Sequence, residues 1–223
     1  MVFFKTSFSK KNEMLVNLSK NLIIKSDTNG FEKMNSIKIN LLKKHTNFIK
    51  ERIIFLNSEI TDKEANQIVQ TLYYFDIENS GKEIKLFING AGGTFYDCMP
   101  IYDAIQSIKS DVTTICFGQI SSMSTLLLVA GTKGKRFAFP NSRIIINQPE
   151  EQEVNVEGPV EDININIKQL LSTKQTFYKL LSYHTNFSIP NEENNTSNMY
   201  TLSAWEALNL GFIDNIIEPV FFK

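Results

Sequence analysis

The segment Gly118-Gln-Ile-Ser-Ser-Met-Ser124 lies between an apolar run that reads as a strand, Val112 to Phe117, and one that reads as a helix, Ser124 to Ala130. Such a junction presents a serine hydroxyl at a helix N-terminus, where free N–H groups also point. A nucleophile and donors for an oxyanion can therefore meet there. A second junction, Gly90-Ala-Gly-Gly93, follows the run Ile84 to Ile88, and its paired glycines leave backbone amides open towards a developing negative charge. The chemistry suggested is acyl transfer. Each feature also has an ordinary reading, because serine is a common helix cap and paired glycine a common turn. The chain holds two histidines, His45 and His184, so any mechanism that needs an imidazole must use one of them.

The elements that would position these junctions follow from periodicity and caps. Arg52 to Leu56 reads as a short buried strand, and Thr61-Asp-Lys-Glu64 is a capping box opening a helix with Ala65, Ile68, Val69 and Leu72 on one face. Asn79-Ser-Gly81 breaks the chain, Ile84 to Ile88 forms a second strand, and a second helix carries Ile101, Ile105 and Ile108. Strands alternating with helices at this spacing predict βαβ units and a parallel α/β sheet. Beyond a strand at Arg143 to Ile146 comes an acidic stretch, Glu150 to Asp162, with six carboxylates and no Lys or Arg. A long helix follows from Pro159, with Ile163, Ile167, Leu170, Leu171, Phe177, Tyr178 and Leu181 at helical spacing. It exceeds a simple crossover, so its apolar stripe is expected to pack on another copy of the chain or on an element projecting from the core. A polar loop spans Asn191 to Asn198, Ser203-Ala-Trp-Glu206 is a second capping box, Gly211 ends that helix, and Phe212 to Ile217 is the last strand.

Composition narrows the function. With 223 residues, 42% apolar and 21% charged, the chain suits a globular α/β protein with a full core. Lys and Arg number 23 against 24 Asp and Glu, so no field of one sign is available for nucleic acid or an anionic membrane. The longest apolar stretch, Leu126 to Ala130, is far short of the roughly 20 residues of a spanning helix. Cys98 and Cys116 provide neither a disulfide framework nor zinc-ligand spacing, which fits a reducing compartment, and no metal or cofactor is implied. The first 25 residues carry five lysines and one acid, Glu13, which fits an organelle-targeting remnant or a frayed basic terminus.

From Glu51 to Ile217 the chain resembles the proteolytic subunit of the Clp protease. The resemblance rests on Glu51-Arg-Ile-Ile-Phe-Leu56, Phe87-Ile-Asn-Gly-Ala-Gly-Gly93, Ile101-Tyr-Asp103, Thr114-Ile-Cys-Phe-Gly-Gln119 and Ser122-Met123. It continues through Ala130-Gly-Thr-Lys-Gly-Lys-Arg-Phe137, Pro140-Asn-Ser-Arg143, Gln148-Pro149, Ser203-Ala-Trp-Glu-Ala207 and Gly211-Phe-Ile-Asp214. It implies a ClpP/crotonase-like repeated βαβ core with a projecting strand-helix handle. The expected division is an N-terminal segment over 1–50, a head over 51–149 and 191–223, and a handle over 150–190.

The resemblance puts the family's nucleophile on Ser122 and its oxyanion donors on the amides of Gly93 and Met123. It puts the family's histidine on Asn147, in Ile146-Asn-Gln-Pro149, and its aspartate on Met199, in Thr196-Ser-Asn-Met-Tyr-Thr-Leu-Ser-Ala204. An amide accepts no proton at neutral pH and a thioether carries no charge. The expectation is therefore a non-catalytic subunit of the ClpR type in a seven-membered ring. It would associate with itself, with active Clp proteolytic subunits and with an AAA+ unfoldase, without nucleic acid or membrane, in a plastid-type organelle. The alternatives are a weakly active serine endopeptidase using Ser122, a crotonase-like acyl-CoA enzyme, and a regulatory adaptor outside any ring. Lys133 and Lys135 are the nearest lysines for a serine-lysine dyad, but they fall in a block that active family members share.

Overall fold

The computed structural model describes residues 47–147, 160–188 and 199–218, with side chains from 163 onward in the second stretch. The chain divides into two units, Met1–Asn47 and Phe48–Lys223, and the elements below belong to the second. His45, Gln148, Pro149, most of the acidic stretch and the loop from Asn191 to Asn198 lie outside the described residues.

In chain order the elements are β1 (Ile53–Leu56), α1 (Asp62–Glu78), β2 (Ile84–Gly90), α2 (Phe95–Ser107), β3 (Val112–Ser121), α3 (Met123–Val129), β4 (Arg136–Ala138) and β5 (Arg143–Ile146). They continue as α4 (Val160–His184), β6 (Tyr200–Ser203), α5 (Ala204–Asn209) and β7 (Asn215–Ile216). One sheet runs β1-β2-β3-β4-β7 with every pairing parallel, and β5 joins β3 in parallel. The exception is β6, which pairs antiparallel with β5. This is the mixed α/β architecture expected from the alternation of strands and helices.

Local chemistry explains where the helices begin. Thr61 and Glu64 close the anticipated capping box, the Glu64 carboxylate accepting the Thr61 N–H at 3.1 Å, and Ser203 with Glu206 repeats the device on α5 at 2.8 Å. Ala65, Ile68, Leu72 and Phe75 bury one face of α1, and every residue of α3 is buried. That pattern places α3 at the centre of the core, behind the turn that starts it.

Several sequence expectations shift. The strand anticipated from Arg52 begins at Ile53, because Arg52 takes φ 58 and turns inward. The third strand runs on to Ser121 because its last residues find a new neighbour, β5. Neither β4 nor β6 is among the expected strands: both are short, and Arg136 disguises β4 as polar although its guanidinium is paired with Asp214 at 2.6 Å. The last strand shortens to two residues. The apolar stripe of α4 is split: Phe177, Tyr178 and Leu181 pack into the chain's own core, while Ile167 and Leu171 remain exposed, as does Ile165, which is not part of that stripe.

Candidate active site

Ser122 sits between β3 and α3 with φ 51 and ψ −123, one of two non-glycine residues at positive φ among those described. Holding a residue there costs on the order of 1–3 kcal/mol, which the surroundings must overdetermine. They do so through the backbone. The Ser122 N–H donates to the Ile145 carbonyl at 3.3 Å and to Asn147 Oδ1 at 2.8 Å, and the Thr125 hydroxyl donates to the same Ile145 carbonyl at 2.9 Å. Ser122 is 2% exposed, and its hydroxyl does not cap α3. The ordinary cap reading of this serine therefore fails.

The glycine turn lies directly against the start of α3. Gly92 has φ +92, and a Cβ there would stand 2.7 Å from the Ser124 nitrogen and 3.0 Å from the Met123 Cβ. Gly93 bridges Ile60, whose N–H donates to the Gly92 carbonyl at 2.8 Å, and a Cβ on Gly93 would collide with the Ile60 carbonyl oxygen. Both positions need glycine for close backbone approach, and that approach brings the Gly93 turn beside Met123. The first N–H groups of a helix have no acceptor within it, so the Met123 amide belongs to the set that an oxyanion can use.

Asn147 follows β5 and Met199 precedes β6. The β5–β6 ladder ends on the pair Ile146 and Tyr200, so Asn147 and Met199 both lie one residue past its last rung. Three positions widely separated in sequence thus converge at one end of the sheet. Asn147 uses its carbonyl oxygen to hold the Ser122 amide, a positioning contact, and Met199 is 65% exposed.

The other candidate groups are engaged elsewhere. His184 Nε2 lies 2.8 Å from the Tyr102 hydroxyl, and its backbone carbonyl accepts from Arg136 at 2.9 Å. Burial first, and the Arg136 charge second, hold the imidazole below its ordinary pKa. Lys135 pairs with Asp111 at 3.0 Å and with Glu83 at 3.2 Å, and those two carboxylates raise its pKa and keep it protonated. Burial pushes the Cys98 and Cys116 thiols up to about 12 and about 11, so neither is a thiolate nucleophile. Among the described residues no three His, Cys, Asp or Glu side chains converge as a metal site, and no helix is long and apolar enough to cross a membrane.

A mostly parallel α/β sheet, a serine on a strained strand-to-helix turn and a glycine turn packed on that helix's first amides define the framework of a serine acyl-transfer protein. Residues 37–220 match the family model described as Clp protease, and the chain belongs to the Clp protease family. An ATP-dependent Clp protease proteolytic subunit from Carsonella ruddii (strain PV) is 43% identical over 173 residues, which is 78% of this chain and 87% of that one.

These findings correct the sequence reading. The relative is named as a proteolytic subunit, and this overturns the expectation of a non-catalytic scaffold inferred from Asn147 and Met199. Two residue types at two positions weigh less than similarity spread over most of both chains. Members of the family are serine endopeptidases that form rings and work with Clp ATPases. Asn89 stands inside one of the family blocks, but sequence reasoning assigns it no role; its signal, an asparagine just before a glycine turn, becomes legible only beside the structure.

Proposed function

We propose that this chain is a proteolytic subunit of an ATP-dependent Clp-type protease, a serine endopeptidase acting through Ser122. The supporting observation is the backbone of Ser122 itself, φ 51 and ψ −123, kept strained by two acceptors while the hydroxyl is withheld from capping. In this reading Ser122 Oγ attacks the peptide carbonyl carbon and its proton passes to water. The amides of Gly93 and Met123 stabilise the oxyanion, the amine leaves with a proton from water, and a second water hydrolyses the acyl-serine. Asn147 positions the elbow and does not titrate, so turnover rests chiefly on oxyanion stabilisation and binding. Those two terms sustain about 10³–10⁴ over the uncatalysed reaction in serine proteases stripped of their base.

Assembly follows from the same reading. Ile165, Ile167 and Leu171 expose apolar surface on the first half of α4, and such surface favours association with further copies of the chain. The ring then receives unfolded polypeptide from an AAA+ partner. The test is covalent labelling by a fluorophosphonate, followed by intact mass, beside hydrolysis of an unfolded protein with an AAA+ unfoldase and ATP. Labelling at Ser122 and loss of both signals in S122A are expected. An unlabelled parent chain, or undiminished hydrolysis by S122A, would overturn the proposal.

A further inference from the structure

The two strands that deliver the oxyanion amides are out of step. Ile88 pairs with Cys116 but Gly90 pairs with Ile120, so β3 spends four residues where β2 spends two. The surplus falls in Phe117-Gly-Gln119, opposite Asn89. At the same place β3 changes neighbour, from β4 at Thr114 to Cys116 to β5 at Gln119 to Ser121. A bulge of this kind bends a strand and re-aims the residues beyond it.

Inside the bulge the regular backbone ladder is interrupted, and the Asn89 side chain supplies an acceptor: its Oδ1 takes the Gln119 N–H at 3.2 Å. Gly118 permits the approach, with φ +72 and space such that a Cβ would stand 2.9 Å from the same oxygen. From Asn89 the chain reaches Gly93 in four residues, and from Gln119 it reaches Met123 in four. The tie therefore joins the two strands at equal chain distance from the two amides.

We infer that Asn89 is a positioning residue that sets the spacing of the Gly93 and Met123 amides by holding the Gln119 N–H. The inference rests on the reading of those amides as oxyanion donors, and Asn89 acts on them only through the backbone. Two measurements on the full chain separate its failure from that of the function itself. The first is the rate of fluorophosphonate labelling at Ser122. The second is hydrogen exchange of the peptides covering 90–94 and 117–124, which does not require Ser122 to react.

N89A is expected to label about 10-fold slower or more, since a displaced donor gives up part of the 10²–10³ that one oxyanion hydrogen bond supplies. It should also exchange faster in both peptides while melting at nearly the parent temperature. N89D, which keeps a carboxylate oxygen as acceptor, should restore the rate and the protection. A generally weakened fold would show neither the confinement to two peptides nor the rescue. If N89A does not fold, G118A carries the test, because its Cβ forces the Asn89 oxygen away. Parent-like exchange in N89A, or in G118A when N89A does not fold, overturns the inference, as does N89D behaving like N89A. An unlabelled parent chain overturns the endopeptidase reading alone, and exchange then decides the role of Asn89.

Discussion

Gly93→Ala perturbs the turn proposed to stabilise the oxyanion, with almost no change in side-chain chemistry. Gly93 does not occupy the left-handed region, so alanine is conformationally acceptable there and its effect is steric. The added Cβ would run into the Ile60 carbonyl oxygen and stand 3.0 Å from that group's carbon. Both are backbone atoms, so no rotamer relieves the clash, and the turn has to retreat by about 1 Å. A misplacement of that size costs about 10²-fold at a reacting centre, and outright loss of an oxyanion donor costs about 10²–10³-fold. The two routes converge on a loss of about 2.7–4 kcal/mol in transition-state stabilisation. The same overpacking should lower folding stability by about 1–3 kcal/mol. The assay is the pseudo-first-order rate of Ser122 labelling, with thermal melting in parallel. Gly81→Ala is the control: its position has φ +84 and nothing within 4 Å of a Cβ, so it carries backbone strain without a clash. A G93A chain that melts cooperatively and labels within about threefold of the parent would refute the assignment of this turn to the oxyanion.

Asn147, where the resemblance sets the family's histidine, gives a prediction of opposite sign. N147H combined with M199D should raise Ser122 labelling by about 10–10²-fold and introduce a pH dependence with a midpoint near about 6.5; a flat profile argues against an imidazole acting from this position. Asp214 ties β4 to the segment before β7. Burial works against its charge, but hydrogen bonds from the Arg136 side chain and from the Arg136 and Gly134 amides outweigh that and hold its carboxyl below the usual carboxylate range. A depressed carboxylate stabilises the fold above its unfolded pKa and loses that effect as pH falls through the folded one. D214N should therefore cost about 3 kcal/mol near neutrality by denaturant unfolding, with the gap to the parent closing in acid. A gap independent of pH would mean that the charge is not the source. Arg52, 2% exposed, donates to the carbonyls of Phe75, Lys82 and Glu83 and lies over the Phe75 ring. R52M strands these acceptors and should destabilise by about 3 kcal/mol or more; a loss under about 1 kcal/mol would show that water replaces the guanidinium.

Near-neighbour signals carried far in this chain. Both capping boxes, the helix faces marked by Ala65, Ile68 and Leu72, and the alternation that gives a parallel sheet are set by residues within a few positions of one another. The glycine turn and the serine junction were visible for the same reason. The resemblance set Asn147 and Met199 on the family's histidine and aspartate and so implied a subunit without catalysis, a conclusion that the similarity to a named proteolytic subunit overturns.

What local pattern could not reveal depends on which strand meets which. The convergence of Ser122 with Asn147, and the placing of Asn147 and Met199 just past the last rung of the β5–β6 ladder, arise because β3 leaves β4 for β5 at a bulge and β5 then accepts β6. The split of the α4 stripe into a packed half and an exposed half is likewise settled by what the rest of the chain can cover. Periodicity and caps are short-range properties of the chain, legible in one dimension. Register, strand partners and the backbone of Ser122 are fixed by contacts between distant segments, and only the assembled sheet supplies those contacts.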